Sequence, residues 1–222
     1  MNPLHAARRA ARHTVTRLAT RGLRDQVDSA VLFEFNRLCN LMDRPRVLEL
    51  GVRRSNPVQS TRHDDWVPHA SEYVGTDVES GIDVDVVADV HQLSTTLGME
   101  QFDAIISCST FEHFKYPHRA AHQILKTLRV GGALFVQTHQ SYPLHAHPFD
   151  YFRYSTEALA GLFGTRMGFR VLATEYQFPA RVMTRAVPDL ATGEAYLNAC
   201  LVGVKDSPTP DEYVYEDDVG DR

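Results

Sequence analysis

The chain has 222 residues, of which 43% are hydrophobic and 23% are charged, and its net charge is −5. These values predict one domain, or one domain with extensions, that is large enough to bury a core. No apolar run approaches the roughly 18 residues that cross a bilayer, and the first residues lack the apolar core of a secretory signal, so we expect neither feature. Three distant cysteines, Cys39, Cys108 and Cys200, argue against a disulfide framework and favour a cytoplasmic location.

Charge is distributed unevenly along the chain. Residues 1–24 carry six arginines and no acid, whereas residues 206–222 carry seven acids and one arginine. We therefore expect residues 1–43 to form a basic and amphipathic helical extension, residues 44–205 the main domain, and residues 206–222 a disordered acidic tail. The basic leader is also compatible with a transit peptide, a membrane-surface helix or a nucleic-acid arm, although a solvated helix over the domain is the simplest interpretation.

Helical and strand patterns alternate after the leader. Apolar spacing predicts helices at 25–43, 118–129 and 155–163, the last capped by Ser155 or Thr156. Short apolar runs predict strands at 46–51, 73–77, 84–89, 102–108, 133–138, 169–173 and 196–204. This alternation predicts an α/β fold with a doubly wound, mostly parallel sheet and helices on both faces. Ligands of such sheets bind beyond the carboxyl ends of the strands.

The first two strands end in residues suited to a nucleoside. One strand ends in Glu49-Leu50-Gly51, and the next ends 26 residues after the glycine in Asp77. A glycine lets the backbone approach a ligand closely, and an acid on the next strand accepts hydrogen bonds from ribose hydroxyls. The pattern therefore predicts a nucleoside-containing cofactor at this edge of the sheet.

Five stretches in order resemble the class I S-adenosylmethionine (AdoMet)-dependent methyltransferases. They are RVLELG (46–51), YVGTDV (73–78), VDVVADVHQL (84–93), FDAIISCSTFEH (102–113) and LKTLRVGGALFV (125–136). The resemblance extends from about residue 44 to residue 175, and it identifies residues 44–205 as the methyltransferase domain. It implies a Rossmann-like fold, AdoMet as the cofactor and methyl transfer as the activity.

The same resemblance implies a set of cofactor-binding residues at the ends of the first four strands: Glu49, Gly51, Asp77, Val78, Asp89, Val90, Ser107 and Cys108. Gly51 would pack against the methionine part of AdoMet, with Glu49 supporting its loop. Asp77 would bind the ribose and Asp89 the adenine amino group, while Ser107 and Cys108 would line the floor of the site. Either aspartate could instead cap a turn, and for Asp89 this alternative is the stronger one.

The loop after the first strand departs from the family pattern. It reads Gly51-Val-Arg-Arg-Ser-Asn-Pro57, without the two further glycines that the family usually has. Such bulk argues against a dinucleotide, whose pyrophosphate needs a glycine backbone, whereas AdoMet carries no phosphate. A nicotinamide-dependent oxidoreductase is disfavoured for this reason. Arg53 and Arg54 are expected to contact the substrate or the cofactor carboxylate, or to remain solvated.

The segment after the fifth strand supplies candidate groups for the methyl acceptor. Residues 138–153 contain three histidines and a Pro-x-Asp-Tyr-x-Arg run, which resembles a type 11-like methyltransferase subset. A hydroxyl acceptor benefits from a general base whose pKa is near neutral, and the candidates are His139, His145 and, third, His113. The expected substrate contacts are Tyr142, His147 and Arg153, although Arg153 could simply pair with Asp150.

A metal site is not expected from this sequence. His139, His145 and His147 could join Asp150 around an ion, but the His145-Ala-His147 alternation would turn two imidazoles apart in an extended strand. The sequence also contains no His-Glu-x-x-His run and no paired-cysteine spacing.

The expected reaction is methylation of a small-molecule hydroxyl, as in the biosynthesis of a sugar or natural product. Nitrogen or carbon acceptors remain alternatives, as does a catalytically silent partner subunit with the same fold. Nucleic acid is not an expected partner, because the central body is acidic and residues 107–110 read Ser-Cys-Ser-Thr rather than Asn-Pro-Pro-Tyr. A homodimer is compatible with the sequence.

Overall fold

The computed structural model describes residues 28–54, 58 and 60–215, and these form a seven-stranded sheet with helices against it. The strands are β1 (Arg46–Leu50), β2 (Glu72–Asp77), β3 (Val86–Val87), β4 (Phe102–Cys108), β5 (Leu128–His139), β6 (Phe169–Ala180) and β7 (Ala195–Lys205). The helices are α1 (Ala30–Asn40), α2 (Leu93–Leu97), α3 (Pro117–Thr127) and α4 (Thr156–Ala160). Within the described ranges, no helix combines the length and the hydropathy that a bilayer crossing requires.

The strand order is β3-β2-β1-β4-β5-β7-β6. Strands β1 to β5 run parallel to one another, whereas β7 runs antiparallel to both β5 and β6. The chain winds outward from β1 to β3 and then continues on the other side of β1 at β4. This arrangement confirms the predicted mostly parallel, doubly wound sheet, and its topological switch lies between β1 and β4.

Alternate side chains of each strand enter separate cores on the two faces of the sheet. Ile105 and Leu134 share one buried cluster with α3 and the α4 region. Ile106 and Phe135, their neighbours in sequence, share the other cluster with α1. The period of two along a strand therefore buries both faces, and the predicted helices on both faces are confirmed.

Helix α1 is shorter than the predicted 25–43 helix, and residues before 28 lie outside the described part of the chain. The hydroxyl of Ser29 caps its start by accepting a hydrogen bond from the Leu32 amide at 2.9 Å. Glu175 of β6 accepts from the Ala30 amide at 3.0 Å, which ties this helix end to the sheet. The first amides of α1 thus find the acceptors that a helix start lacks.

Other element boundaries differ from the predictions because pairing between strands determines where those elements begin and end. The fifth strand begins at Leu128 rather than at residue 133, and it continues through Gly131 and Gly132. The first of these glycines has a φ of +85°, and β4 and β5 shift register between Phe102 and Ala104. Helix α4 is capped by Ser155 as expected but ends at Ala160, and β6 and β7 are extended by pairing with each other.

Residues 206–215 pack against the domain, contrary to the disorder expected for residues 206–222. The hydroxyl of Tyr213 donates to the Leu162 carbonyl at 3.1 Å, and its ring lies 5.1 Å from the His118 ring of α3. Val214 joins Tyr213 against the core cluster beneath. Residues 216–222, like residues 1–27, lie outside the described part of the chain.

Candidate active site

Residues that could bind a ligand or take part in catalysis lie at the carboxyl edge of the parallel strands. Gly51 follows β1, Asp77 ends β2, and Cys108 and His139 end β4 and β5. Since β4 lies between β1 and β5 and adjacent strands are about 4.8 Å apart, the ends of β1 and β5 are separated by about 10 Å. The expected cofactor half and the histidine-rich half therefore adjoin at one edge.

Gly51 begins the loop after β1 with a φ of +74°, a conformation that favours glycine. Its amide donates to the Thr76 carbonyl of β2 at 2.8 Å, so the loop crosses beside the end of the next strand. A Cβ at this position would lie 2.3 Å from Oγ1 of Thr110. The close approach that requires glycine here is therefore that of Thr110, whereas a ligand was the reason anticipated from the sequence.

The half-buried carboxylate of Asp77 organises the two loops beside it. One oxygen accepts from the Arg53 amide at 3.3 Å, and the other accepts from the Glu79 amide at 3.1 Å. A carboxylate has about four acceptor positions, so these two bonds leave capacity for a ligand hydroxyl. Val78, the next residue, is 66% exposed.

Glu49 has a buried carboxylate that braces the segment leading into β2. It accepts hydrogen bonds from the His63 amide at 3.0 Å and from the Tyr73 hydroxyl at 2.5 Å. Nδ1 of His63 lies 2.6 Å from its other oxygen. Burial, reinforced by the Glu49 charge, raises the pKa of Tyr73 and keeps this phenol protonated.

Asp89 caps the short 3-10 turn Val90–Gln92, the alternative weighed from the sequence. Its Oδ1 accepts from the His91 amide at 2.9 Å and lies 2.7 Å from Nδ1 of the same residue. Burial opposes ionisation, but these hydrogen bonds prevail and hold the pKa of Asp89 below its usual value. The side chain remains 45% exposed and Val90 is buried, so contact with adenine stays a prediction.

The floor residues at the end of β4 are enclosed by the protein. Ser107 is fully buried, and its Oγ has no hydrogen-bond partner among the described residues. Burial raises the pKa of the Cys108 thiol well above its ordinary value, and the charges of Glu49 and Glu112 raise it further. The thiol is therefore neutral and unsuited to act as a nucleophile.

The two loop arginines are both held by acids. Arg54 forms a bidentate pair with Asp83 at 2.8 and 2.7 Å, and this pair is largely buried. Arg53 pairs with Glu79 at 3.1 Å at a more exposed position. These ion pairs give both arginines a role in shaping the loops after β1 and β2.

The three predicted histidines meet around a carboxylate that the sequence analysis did not identify. Glu112, in the 3-10 turn Phe111–His113 after β4, is fully buried, and its Oε2 accepts from the Thr138 hydroxyl at 2.7 Å. Its Oε1 receives no hydrogen bond among the described residues. The Nε2 atoms of His139, His113 and His145 lie 3.1, 3.8 and 3.9 Å from Oε1. We call these four residues the Glu112 cluster.

The opposite ring nitrogens of the histidines are engaged by oxygen acceptors. Nδ1 of His113 lies 2.7 Å from the Phe149 carbonyl, and Nδ1 of His145 lies 3.2 Å from the Pro143 carbonyl. Nδ1 of His139 lies 3.0 Å from Oδ1 of Asn198. Because a carbonyl only accepts, Nδ1 of His113 and His145 carries the proton. In the neutral rings, the lone pairs on Nε2 are then directed towards the Glu112 carboxylate.

The remaining predicted substrate residues take different positions. Tyr142 stacks on His139 with ring centroids 4.1 Å apart, so it forms a wall of the Glu112 cluster. Arg153 instead forms a bidentate pair with Asp150 at 2.6 and 2.8 Å, which holds the pKa of that carboxyl well below its usual range. His147 is exposed, and the structure does not bring it into the cluster.

Comparison with known proteins agrees with this architecture. A family model described as a methyltransferase domain matches residues 4–178. None of the curated protein sequences matches this chain significantly.

Solved structures of similar fold include a SAM-dependent methyltransferase from Archaeoglobus fulgidus, with 13% identity and a TM-score of 0.55 over 79% of this chain and 93% of that one. An S-adenosylmethionine-dependent methyltransferase from Mesorhizobium loti has 17% identity and a TM-score of 0.53, covering 80% and 99%. The 1,6-didemethyltoxoflavin-N1-methyltransferase of Burkholderia thailandensis, solved with 1,6-didemethyltoxoflavin and S-adenosylhomocysteine, has 15% identity and a TM-score of 0.53, covering 93% and 92%.

At these identities the structural likeness shows the fold, and the family match extends over more than half of the sequence. The chain therefore belongs to the methyltransferase-domain family and is a class I enzyme that uses S-adenosylmethionine.

Proposed function

We propose that this methyltransferase transfers the methyl group of AdoMet to a hydroxyl of a small molecule, such as a sugar or a natural product. The observation that carries the proposal is the Glu112 cluster, which places three imidazoles at the carboxyl edge next to the cofactor strands. A hydroxyl is a weak nucleophile until it loses its proton, and imidazole is the side chain best suited to take that proton near neutral pH.

The step that we propose is an in-line displacement at the methyl carbon. The acceptor hydroxyl gives its proton to a histidine of the Glu112 cluster, with His139 first because it ends β5, and an oxygen lone pair forms the new O–C bond. The C–S bond breaks at the same time and its electron pair stays on sulfur, so the sulfonium becomes the neutral thioether of S-adenosylhomocysteine. The chain contributes alignment and exclusion of water.

On the cofactor side, we propose that Asp77 receives the ribose hydroxyls and that the loop after Gly51 faces the methionine part. The free acceptor capacity of the Asp77 carboxylate supports this assignment. The exposed fraction of Asp89 supports contact with the adenine amino group beyond the turn that it caps.

The surface around the Glu112 cluster supports a small, partly apolar acceptor. Tyr142, Phe149 and Tyr151 are 45%, 59% and 38% exposed and belong to the same loop after β5. Aromatic faces of this kind pack against sugar rings and planar natural products. A cytoplasmic location is part of the same proposal, and the three free cysteines support it.

The test is methyl transfer by the full chain with AdoMet and a panel of hydroxylated small molecules, each matched with its amine analogue. We expect S-adenosylhomocysteine to form with hydroxyl acceptors, and nuclear magnetic resonance of the product to place the methyl on oxygen. The Asp77→Ala variant should bind AdoMet about tenfold or more weakly in a calorimetric titration, because it loses charge-assisted hydrogen bonds to ribose.

The matched control is Asp65→Ala, which removes an exposed carboxylate between β1 and β2 and should leave AdoMet affinity unchanged. Methylation on nitrogen or carbon would contradict the proposed acceptor atom. Wild-type AdoMet affinity in Asp77→Ala would contradict the ribose assignment, and tight binding of NAD in place of AdoMet would contradict the cofactor.

A further inference from the structure

The Glu112 cluster has the donor set of a metal site. One donor atom from each of Glu112, His113 and His145 lies within 4.8 Å of the other two, and the carboxylate is fully buried. We propose that these three residues bind a divalent transition-metal ion, with His139 beside them. These ligands belong to the turn after β4 and the loop after β5, whereas Asp77 and the loop after Gly51, which we propose to contact AdoMet, follow β2 and β1.

The buried carboxylate of Glu112 favours a bound cation. A buried carboxylate oxygen without a donor loses hydration and gains nothing in return, which is costly. Oε1 of Glu112 is in this position, although three imidazole nitrogens lie within 3.9 Å of it. Lone pairs on the His113 and His145 nitrogens would repel the carboxylate, whereas an ion held between those two nitrogens and Oε1 would satisfy all three atoms.

The outer contacts orient the ligand atoms as they do in metal sites. Metal-binding histidines commonly donate their second ring N–H to a carbonyl or carboxylate, which fixes the tautomer and the ring. Here the Nδ1 atoms of His113 and His145 are satisfied by the carbonyls of Phe149 and Pro143. The Thr138 hydroxyl holds the remaining oxygen of Glu112.

The ligand types indicate which ions suit the site. Two imidazoles and one carboxylate favour zinc-like transition metals, whereas magnesium and calcium prefer all-oxygen ligands. Ligand atoms bound at about 2.1 Å lie roughly 3.5 Å apart in a tetrahedral site, close to the 3.8 and 3.9 Å separations of the two Nε2 atoms from Oε1. Three protein ligands leave a coordination position open, as in catalytic sites.

The open coordination position would allow the ion to bind and activate the methyl acceptor. A bound divalent cation withdraws charge from a coordinated oxygen and lowers the pKa of its proton. An acceptor hydroxyl placed there would be both oriented and acidified, and His139 stands next to it to receive the proton. This assignment of the task rests on the proposed function, whereas binding of the ion does not.

His147, which the alternation with His145 would turn away from a shared ion, is not part of this ligand set. The structure leaves His147 exposed and outside the cluster. The partners of His145 come instead from residues 112 and 113, more than 30 positions earlier in the chain.

The test is binding of Zn²⁺ to the full chain after its metal has been removed with a chelator, measured by competition with a chromogenic chelator. We expect one Zn²⁺ per chain, and we expect Co²⁺ substitution to give visible d–d absorption. His145→Ala and His113→Ala should each weaken Zn²⁺ binding by about tenfold or more, because each removes a ligand. Excess Mg²⁺ should not compete.

His147→Ala is the matched control, because it removes an exposed imidazole from the same loop and should bind Zn²⁺ as the wild type does. AdoMet titration of His145→Ala checks that the variant is folded, and we expect wild-type affinity there. The proposal is overturned if the wild type binds no Zn²⁺, or if His147→Ala loses as much affinity as His145→Ala. Zn²⁺ binding without methyl transfer would support the site and contradict the proposed function, so the two can fail separately.

Discussion

At the scale of single residues, Thr110 links the two halves of the site. Its side chain fills the space that the missing side chain of Gly51 leaves, and its hydroxyl donates to the Cys108 carbonyl at 2.8 Å. The 3-10 turn that follows it carries Glu112 and His113. A side chain at position 51 would therefore press on Thr110, the residue directly before the turn that carries Glu112 and His113.

Gly51→Ala should destabilise the fold more than Gly131→Ala, although both glycines have positive φ. The alanine at 131 meets no atom within 4 Å, so only backbone strain of about 1 kcal/mol is expected there. The alanine at 51 also collides with Thr110, which should add about 1–3 kcal/mol. Urea denaturation of both variants measures the difference, and equal losses would show that Thr110 yields without cost.

The residues of the cofactor half could be located from the sequence, but the composition of the Glu112 cluster could not. Gly51 and Asp77 end adjacent parallel strands, so the alternation of elements already places them at one edge. Glu112 meets His145 only because the loop after β5 folds back onto the turn after β4, where the Tyr151 amide donates to the Glu112 carbonyl at 2.9 Å. The one available signal was an acid next to His113, just beyond a strand end.

At the scale of secondary structure elements, the end of β7 completes the end of α3. Lys205 is buried, and its ammonium donates to the carbonyls of Leu125 and Leu128 at 2.9 and 2.7 Å. These carbonyls lie where a helix runs out of its own donors. Glu100 lies 3.2 Å from the ammonium and offsets part of the cost of burying the charge.

The stability supplied by Lys205 should increase with pH. Burial lowers the pKa of this lysine below its ordinary value of 10.5, and Glu100 opposes the shift without cancelling it. Between the lowered and the ordinary value the unfolded chain binds more protons than the folded one, so the free energy of unfolding rises with pH. Wild type should therefore gain stability relative to Lys205→Met in urea denaturation as the pH rises towards the ordinary lysine pKa of 10.5. A constant or falling difference would contradict the shift.

The boundaries of elements show where sequence patterns stop being informative. Gly131-Gly132 suggested a break before the fifth strand, but pairing with β4 and β7 defines the strand, and its glycines lie within it. Likewise β6 and β7 extend to Ala180 and Ala195 because they pair with each other. Such pairings join residues that are distant in sequence, and the local spacing of apolar residues carries no information about them.

At the scale of the whole molecule, residues 206–215 close one face of the domain. Acidic composition and two prolines predicted a disordered segment, but Tyr213 and Val214 act as apolar anchors within it. His122 of α3 contacts the Pro210 carbonyl with Nε2 at 2.8 Å, and Arg170 pairs with Asp206 at 2.6 Å. Composition averages over a segment, whereas a few side chains are enough to dock it.

Tyr213→Ala should lower the free energy of unfolding by about 1–3 kcal/mol, because it removes a half-buried ring and its hydroxyl bonds to the Gly161 and Leu162 carbonyls. For a chain of this length each kcal/mol corresponds to a fall of roughly 2–4 °C in the melting temperature. Calorimetry of this variant should be compared with Glu212→Ala, an exposed neighbour for which we expect no more than about 0.5 kcal/mol. Equal melting temperatures for the two would show that the segment adds no stability.

The tethering of the loop after β5 limits how the enzyme can diverge. The Phe149 carbonyl and the amides of Tyr151 and Phe152 are all bonded to residues 112 and 113, so this part of the loop cannot change shape without disturbing a ligand-bearing turn. Leu144, by contrast, is 91% exposed at the tip. Related enzymes that methylate other acceptors should therefore differ at the tip of the loop and keep the part that is hydrogen-bonded to residues 112 and 113. Mutation is tolerated best at loop positions that make no structural contacts.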